Sequence, residues 1–180
     1  MAARDFDIVL WGSTGATGRR AAHHLARRCA ECELAFAIGG RNEAKLQALR
    51  QDLRQDLPDV GRPIAVEIGD SHDTAFMRAL TARTHVVAST AGPFALYGSE
   101  LVAACAKNGT HYCDLSAEPQ WMRAMIDAHE GKARETGARI VHACGQDSIP
   151  SDLGVQFLQE AACARYGQPC RRVATRVTRM

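Results

Sequence analysis

Short apolar runs alternate along the chain with longer stretches whose apolar residues recur at helical spacing. Phe6 to Trp11 is a short run of strand-forming residues, and the alanine- and leucine-containing stretch that ends near Arg28 suits a helix. Leu34 to Ile38 predicts a second strand. A second helix follows and ends at Pro58, because leucines at spacings of three and four residues share one helix face; they are Leu46, Leu49, Leu53 and Leu57.

The same alternation continues to about residue 165. Further strands are predicted at residues 64–68, 85–90, 110–115 and 139–144. Further helices are predicted near residues 72–82 and 97–108, from Pro119 onward, and from Ser151 to about Arg165. Strands that alternate with helices form a parallel sheet, because each parallel pair needs a crossover connection. The pattern therefore predicts an α/β protein with a doubly wound parallel sheet, which is a Rossmann fold.

The last segment does not belong to this pattern. From Arg172 to Met180 valines alternate with other residues as in a half-buried strand, yet the six-stranded sheet is already complete. We therefore expect residues 1–165 to form an NAD(P)-binding Rossmann domain. Residues 166–180 are expected to begin a second domain, inside which the chain stops. An unpaired strand is prone to edge association, so a homodimer formed through this tail is a further expectation.

Composition narrows the class of protein. The chain has 180 residues, of which 46% are hydrophobic and 23% charged, as in ordinary globular domains and unlike disordered or collagen-like chains. The net charge of +2 becomes −3 without the five arginines of residues 165–180, so no basic face for nucleic acid is indicated. The seven cysteines are odd in number and scattered, which is typical of reduced thiols.

Targeting signals are not predicted. Arg4, Asp5 and Asp7 lie where a signal peptide needs an uninterrupted apolar run, and no window is long and apolar enough for a transmembrane segment. We therefore expect a cytoplasmic protein.

A glycine-rich loop lies between the first predicted strand and the first predicted helix. Its glycines follow the spacing Gly12-x-x-Gly15-x-x-Gly18. Residues without a Cβ let the backbone turn tightly and approach a pyrophosphate, whose charge is met by unpaired N–H groups at the helix start. The alternative is a turn rich in Gly and Thr for steric reasons alone. We interpret the loop as a dinucleotide-binding site formed by Gly12, Ser13, Thr14, Gly15, Ala16, Thr17 and Gly18.

The end of the second predicted strand indicates which dinucleotide binds. NAD-binding domains place an Asp or Glu there to hold a ribose 2′-hydroxyl, whereas this chain has the sequence Gly-Gly-Arg-Asn, with the arginine at Arg41. A guanidinium suits a 2′-phosphate, so NADP (NADPH) is the predicted cofactor; the alternative is a solvated charge at a helix start. At later strand ends, Asp70 is expected to border the adenine. The ribose and nicotinamide side is expected at Ala91, Gly92 and Pro93.

No catalytic residue can be assigned from the sequence. The Tyr-x-x-x-Lys pair of short-chain dehydrogenases is absent, since the fourth residue after each tyrosine is Leu101, Ser116 or Cys170. Cys144 could be a thiolate nucleophile, but a buried thiol at a strand end is favoured because no His or Lys follows it. Two polar sets after the fifth and sixth strands could contact substrate or cap helices: Asp114, Ser116 and Glu118, and Asp147, Ser148, Ser151 and Asp152.

Metal binding is not predicted. Cys29 and Cys32 lie downstream of His23 and His24, but neither a second CxxC nor a spaced His pair accompanies them. Coincidence at a helix end is therefore the favoured interpretation.

Three segments resemble the cofactor domain of the saccharopine dehydrogenase-like oxidoreductases, in particular the branch that includes bacterial trans-acting enoyl reductases. They are DFDIVLWGSTGATG, STAGPFALYGSELVAACAKNGTHYCDLSAEPQWM and ARIVHACGQDSIPSDLGV, and the match runs from about residue 5 to residue 160. The resemblance implies hydride transfer from NADPH to an enoyl, or an imine, group of a small-molecule or lipid-like substrate. It also implies a following substrate and dimerisation domain. Ala16 and Gln146 depart from the family, which usually has an aromatic residue at both positions.

A non-catalytic class of protein also has a glycine-rich loop of this kind. Non-catalytic NADP-sensing regulatory modules resemble short-chain dehydrogenases and lack their Tyr-Lys pair, as this chain does. The AGPF and DSIPSD segments favour the enzyme. We therefore expect an NADPH-dependent oxidoreductase represented by its cofactor-binding part, which alone turns over no substrate.

Overall fold

Strands and helices alternate through the described residues, which are 4–57 and 62–176 of the computed structural model. Within these residues the strands are β1 (Phe6–Trp11), β2 (Phe36–Gly40), β3 (Ala65–Ile68), β4 (Thr84–Ser89), β5 (His111–Asp114) and β6 (Ile140–Val141). The helices are α1 (Ala16–Glu31), α2 (Glu43–Asp56), α3 (Thr74–Ala82), α4 (Phe94–Tyr97), α5 (Ser99–Asn108), α6 (Pro119–Thr136) and α7 (Ile149–Tyr166).

The strands run parallel in one sheet, in the spatial order β3-β2-β1-β4-β5-β6. The chain moves outward from β1 to β3, crosses back through α3, and then moves outward in the other direction from β4 to β6. Right-handed crossovers place α1 and α2 on one face and α3, α5 and α6 on the other. This strand order is that of a doubly wound Rossmann sheet and confirms the predicted fold.

Two apolar cores join the sheet to its helices. On one face the predicted leucine stripe of α2 packs with α1 against Leu10 and Ile38. On the other face α3, α5 and α6 pack against Val9, Val87 and Tyr112, which are all buried. Because side chains alternate along a strand, Val9 and Leu10 belong to opposite cores.

Side-chain caps start two of the helices directly after strand ends. The Asn42 side chain accepts from Lys45 N at 2.9 Å at the start of α2. The Asp73 side chain accepts from Phe76 N at 2.9 Å at the start of α3. Arg41 is therefore confined to a short connection at the carboxyl edge of the sheet.

Three predicted elements differ from the structure. The strand predicted at 139–144 is only Ile140–Val141, because Ala143 has a positive φ of 59° that turns the chain out of the sheet. The helix predicted at 97–108 is α5, which begins at Ser99, and the short helix α4 before it was not predicted. The strand predicted from Arg172 is not formed in residues 172–176, which have no regular structure, and residues 177–180 lie outside the described residues, as does Pro58.

The last helix, α7, leaves the sheet with most of its apolar side chains exposed. Phe157 is 69% exposed and Leu153 is 55% exposed, whereas Ala162 is buried. Neither α7 nor any other helix in the described part of the chain is long and apolar enough to cross a membrane.

Candidate cofactor-binding site

A cavity of about 230 Å³ opens at the carboxyl edge of the sheet, where the strand order reverses between β1 and β4. Open α/β sheets bind ligands at such switch points. The predicted site residues that line the cavity are Gly12, Thr14, Gly15, Arg41, Asp70, Ala91 and Gly92. Further lining residues that the sequence did not single out are Trp11, Gly40, Ser71, Thr90 and Tyr97. The predicted residues outside this lining are Ser13, Ala16, Thr17, Gly18 and Pro93.

Two glycines of the loop are required by packing. Gly12 has a φ of +81°, which favours glycine, and a Cβ on it would lie 2.7 Å from Ala91 N. A Cβ on Gly18 would overlap the carbonyl oxygen of Gly12 and lie 2.8 Å from Thr90 Oγ1. Ser13 is also buried, and its hydroxyl donates to a backbone carbonyl of β2 at 3.2 Å. These residues hold the loop against β2 and the segment after β4.

Gly15 is different, because neither its backbone nor its protein neighbours require glycine. Its φ of −71° and ψ of 168° are values that any residue adopts. A Cβ on it would have only Gly12 O nearby, at an ordinary contact distance of 3.5 Å. The glycine therefore keeps open a space that borders the cavity.

The start of α1 adds hydrogen-bond donors beside this space. Arg19 N donates the first bond of the helix to Gly15 O at 2.9 Å, so the N–H groups of residues 16–18 precede the intrahelical bonds. The first turn of α1 carries no acidic residue. An open backbone approach with unpaired N–H donors fits a pyrophosphate.

Arg41, Tyr97 and His72 form a cluster from three different connections. The Arg41 guanidinium carbon lies 5.9 Å from the centre of the Tyr97 ring, and the His72 ring lies 5.4 Å from that ring. An arginine over an aromatic ring keeps its N–H groups free to bind an anion. Asp70 Oδ1 accepts from His72 N at 2.8 Å, which fixes the turn after β3. The cluster therefore presents an exposed cation at the cavity.

The loops after β1 and β4 are joined by hydrogen bonds. Thr90 N donates to Trp11 O at 2.8 Å, and Thr90 Oγ1 donates to Gly12 O at 3.0 Å. Ala91 and Gly92, which follow Thr90, are thereby held beside the glycine loop. The predicted pyrophosphate and nicotinamide sides thus share one cavity.

The Asp114 carboxylate is buried and is held by four groups. Its Oδ2 lies 2.6 Å from His142 Nδ1 and accepts from Tyr112 OH at 3.0 Å. Its Oδ1 accepts the N–H groups of Ser116 and Ala143, each at 3.0 Å. Burial raises the pKa of Asp114, but the hydrogen bonds from His142 and the backbone outweigh this effect and hold the pKa below its ordinary value of 3.8. Asp114 therefore joins the ends of β5 and β6 as a fixed charge.

The same charge affects Tyr112. Burial, together with the neighbouring Asp114 carboxylate, raises the pKa of Tyr112 well above its ordinary value. The Tyr112 hydroxyl therefore stays protonated and donates to Asp114. Of the two interpretations that the sequence leaves open for Asp114, the geometry favours the structural one.

The polar residues after β6 do not line the cavity. Asp147 and Gln146 are exposed. Because α7 begins at Ile149, Ser151 and Asp152 lie inside its first turn, and the expectation that one of them caps the helix is wrong. Ser148 occupies the cap position, but its side chain makes no capping hydrogen bond.

Cys144 lies in the loop after β6. Its Sγ lies 3.6 Å from Val141 O, and burial raises its pKa above the ordinary value. A raised pKa opposes thiolate formation and so argues against a nucleophile, but the prediction of a buried thiol at a strand end is wrong, because Cys144 is only half-buried and lies beyond the end of β6. In residues 4–57 and 62–176, no three His, Cys, Asp or Glu side chains converge as a metal site requires.

Two of the lining residues missed by sequence reasoning are aromatic. Trp11 ends β1, and its Nε1 donates to Ser71 Oγ at 3.0 Å. The sequence could have indicated a polar contact here, because an indole N–H in a buried strand needs a hydrogen-bond partner. Tyr97 ends the single turn of α4. A four-residue helix has no periodic pattern, so nothing in the sequence placed Tyr97 beside Arg41.

Comparison with known proteins links the chain to a family. Residues 8–141 match the saccharopine dehydrogenase NADP binding domain. The chain is 44% identical over 157 residues to a trans-acting enoyl reductase of Mycobacterium tuberculosis, and 42% identical over 168 residues to that of Mycobacterium leprae. These alignments cover 87% and 93% of this chain but only 36% and 39% of the relatives. The chain thus spans little more than a third of the length of the curated relatives it matches.

A solved structure shares the fold. Apo saccharopine dehydrogenase (L-Glu forming) from Saccharomyces cerevisiae superposes with a TM-score of 0.65 at 18% identity, over 86% of this chain and 31% of that one. At this identity the likeness concerns the fold alone. The sequence match, in contrast, extends from β1 to the end of β6. The chain therefore belongs to the saccharopine dehydrogenase NADP-binding domain family, whose cofactor is NADP.

Proposed function

We propose that this chain binds NADPH along the carboxyl edge of its sheet, as the cofactor-binding part of an NADPH-dependent oxidoreductase. The observation that carries the proposal is the geometry of Gly15. Gly15 lines the cavity although neither its conformation nor its packing requires glycine, so we attribute the missing side chain to a ligand that needs the space. The free cation of Arg41 beside the same cavity supports a ligand with an additional phosphate.

Each part of the cofactor has a proposed partner. The pyrophosphate is bound by the backbone of residues 12–18 at the start of α1. The 2′-phosphate is bound by Arg41, and the adenine lies near Asp70 and Tyr97. The ribose and nicotinamide lie against Ala91, Gly92 and Pro93, at the end of β4. In this arrangement the chain binds and orients the cofactor and shields one face of the nicotinamide.

The proposed reaction is reduction of an enoyl group of a lipid-like substrate. Bound NADPH supplies a hydride to the substrate carbon. The support for the enoyl group is the similarity to two proteins named trans-acting enoyl reductase. An imine is the alternative acceptor, given the family's likeness to saccharopine dehydrogenase.

The proposed division of the chain follows from this chemistry. Hydride transfer needs the acceptor carbon held within ~3–3.5 Å of the nicotinamide, which requires a second wall opposite the cofactor. We assign residues 1–165 to the cofactor-binding domain. We assign residues 166–180 to the start of a second domain, and substrate binding to the part of the relatives that this chain does not span.

Assembly and location complete the proposal. Exposed apolar side chains of α7, among them Leu153 and Phe157, form a surface that favours a homodimer through α7 and the tail after it. Sedimentation equilibrium should show this dimer, and Phe157→Ser should shift it toward the monomer. The odd set of free cysteines supports a cytoplasmic location.

Isothermal titration calorimetry with NADPH and NADH tests the proposed function. A charge-assisted contact of Arg41 with the 2′-phosphate is worth ~1.5–3 kcal/mol, so NADPH should bind roughly ten- to a hundredfold more tightly than NADH. Equal affinity for the two cofactors would contradict the position assigned to Arg41. If neither NADPH nor NADH binds, the proposal is overturned.

A further inference from the structure

The Glu118 carboxylate joins two loops that are 24 residues apart in the sequence. Its Oε1 accepts from Phe94 N at 2.7 Å, and its Oε2 accepts from Ala95 N at 2.8 Å. Both carboxylate oxygens are therefore used on two consecutive backbone N–H groups. Such bonds to a charged acceptor are about twice as strong as bonds between neutral groups.

The bonded N–H groups belong to the first residues of α4, directly after Gly92 and Pro93. Gly92 lines the cavity at the start of this turn, and Tyr97 lines it at the end. The Tyr97 end is held by the following helix, because Gly98 N donates to Phe94 O at 2.7 Å and Val102 N donates to Gly98 O at 3.0 Å. The Glu118 side chain holds the other end.

Glu118 is itself fixed to the sheet. Glu118 N donates to Ser116 Oγ at 3.2 Å, and Ser116 N donates to Asp114 Oδ1 at 3.0 Å. Asp114 is the last residue of β5 and is buried. The chain of bonds therefore connects the rigid edge of the sheet to the loop after β4.

Packing supports the same connection. The Phe94 ring lies 5.6 Å from the Trp121 ring, one turn into α6. Trp121 Nε1 donates to Ser99 Oγ at 3.0 Å in α5. Glu118 is not among the residues that line the cavity, so we attribute its effect on a ligand there to the backbone that its carboxylate holds at Phe94 and Ala95.

We infer that Glu118 is a positioning residue for the nicotinamide half of the cofactor. Its carboxylate sets the place of the Gly92–Pro93 segment, while the adenosine half is held by the glycine loop and Arg41. The inference rests on the proposed function, because it assumes that NADPH occupies this cavity. Sequence reasoning left Glu118 between a substrate contact and a helix cap. Glu118 does occupy the N-cap position of α6, but its side chain makes no capping bond there and instead accepts the first two N–H groups of α4.

The test compares two ligands. NADPH contains both halves of the cofactor, whereas adenosine 2′,5′-bisphosphate contains the adenosine and its 2′-phosphate without the nicotinamide. Affinities of both are measured by calorimetry for the wild type, Glu118→Ala and Glu118→Gln. Glu135→Ala is the matched control, because Glu135 lies in α6, the helix that Glu118 precedes, and pairs with Lys132 on the exposed surface at 2.8 Å.

Loss of the two bonds should affect one ligand only. Glu118→Ala should weaken NADPH roughly tenfold or more and should change the affinity for adenosine 2′,5′-bisphosphate less than about twofold. Glu118→Gln retains one acceptor oxygen and should give a smaller loss in the same direction. Glu135→Ala should bind both ligands as the wild type does.

The outcomes separate the inference from the proposed function. If the wild type binds neither ligand, the proposed function fails and the inference fails with it. The inference is overturned if the wild type binds both ligands and Glu118→Ala weakens the binding of both equally or of neither. An equal loss means that Glu118 serves only the fold, and no loss means that it has no effect on the site. Circular dichroism checks folding; if Glu118→Ala is unfolded, the ratio of the two affinities for Glu118→Gln decides alone.

Discussion

Gly15→Val separates a glycine kept for a ligand from a glycine kept for the fold. The φ and ψ of Gly15 suit valine, and the added Cβ meets only Gly12 O at 3.5 Å. A replacement at a compatible conformation gains ~0.4–1 kcal/mol by restricting the unfolded chain. Valine in place of glycine at the N-cap of α1 lowers the free energy of unfolding by about the same amount, because apolar residues are poor N-caps. The free energy of unfolding should therefore change by less than about 1 kcal/mol.

Binding should respond very differently to the same substitution. The valine side chain fills the space that the pyrophosphate needs, and at least two hydrogen bonds to backbone N–H groups are lost. At ~1.5 kcal/mol or more for each bond to a charged acceptor, the loss is at least ~3 kcal/mol, or roughly a hundredfold in affinity.

Gly18→Ala is the matched control for Gly15→Val. Its Cβ would overlap Gly12 O and lie 2.8 Å from Thr90 Oγ1, so it should destabilise the fold by ~1–3 kcal/mol through overpacking. Thermal unfolding and calorimetric titration with NADPH measure the two effects for both variants. If Gly15→Val folds and binds NADPH like the wild type, the space in front of Gly15 does not hold the pyrophosphate.

Three further predictions concern specificity, pH and turnover. Arg41→Ala should remove most of the difference between NADPH and NADH affinity, and calorimetry that finds the preference unchanged would exclude Arg41 from the 2′-phosphate site. The folded-state pKa of Asp114 lies below its ordinary value of 3.8. The ionised carboxylate therefore stabilises the fold at pH values above 3.8, and this stabilisation is lost as the pH falls through the folded-state pKa. Asp114→Asn leaves buried donors without a charged acceptor and should lose ~1–3 kcal/mol near neutral pH. It should also show a weaker decline of stability in acid than the wild type; parallel pH–stability curves from urea unfolding would contradict this. Finally, the 180-residue chain should not oxidise NADPH with enoyl or imine substrates at an appreciable rate, whereas a protein of the relatives' full length should. NADPH absorbance follows the reaction, and equal rates would show that no second wall opposite the cofactor is needed.

The sequence was sufficient for the features that depend on local pattern. The leucine stripe of α2 and the alternation of strands and helices specify the doubly wound sheet, because burial of one helix face requires a sheet beneath it. The sheet in turn brings the glycine loop, Arg41 and Gly92 to one edge, since carboxyl ends of parallel strands share an edge.

Features that depend on tertiary contacts were beyond the sequence. Tyr97 reaches the cavity through the placement of α4, which Glu118 and α5 determine from distant parts of the chain. The early end of β6 depends on the positive φ of Ala143, a residue type that gives no warning of that conformation. The sequence alone left Asp114 equally suited to contact a substrate or to stabilise the fold, and its four hydrogen-bond partners in the structure favour the second role.

Backbone amide chemical shifts of the isotope-labelled chain, followed by NMR during titration with NADPH, test the cofactor placement most directly. We expect the largest changes in residues 12–18 and at Arg41, Asp70 and Gly92, and small changes on the outward face of α6. Saturating changes centred on another surface, such as the groove between α6 and β6 lined by Ile126 and Ile140, would contradict it.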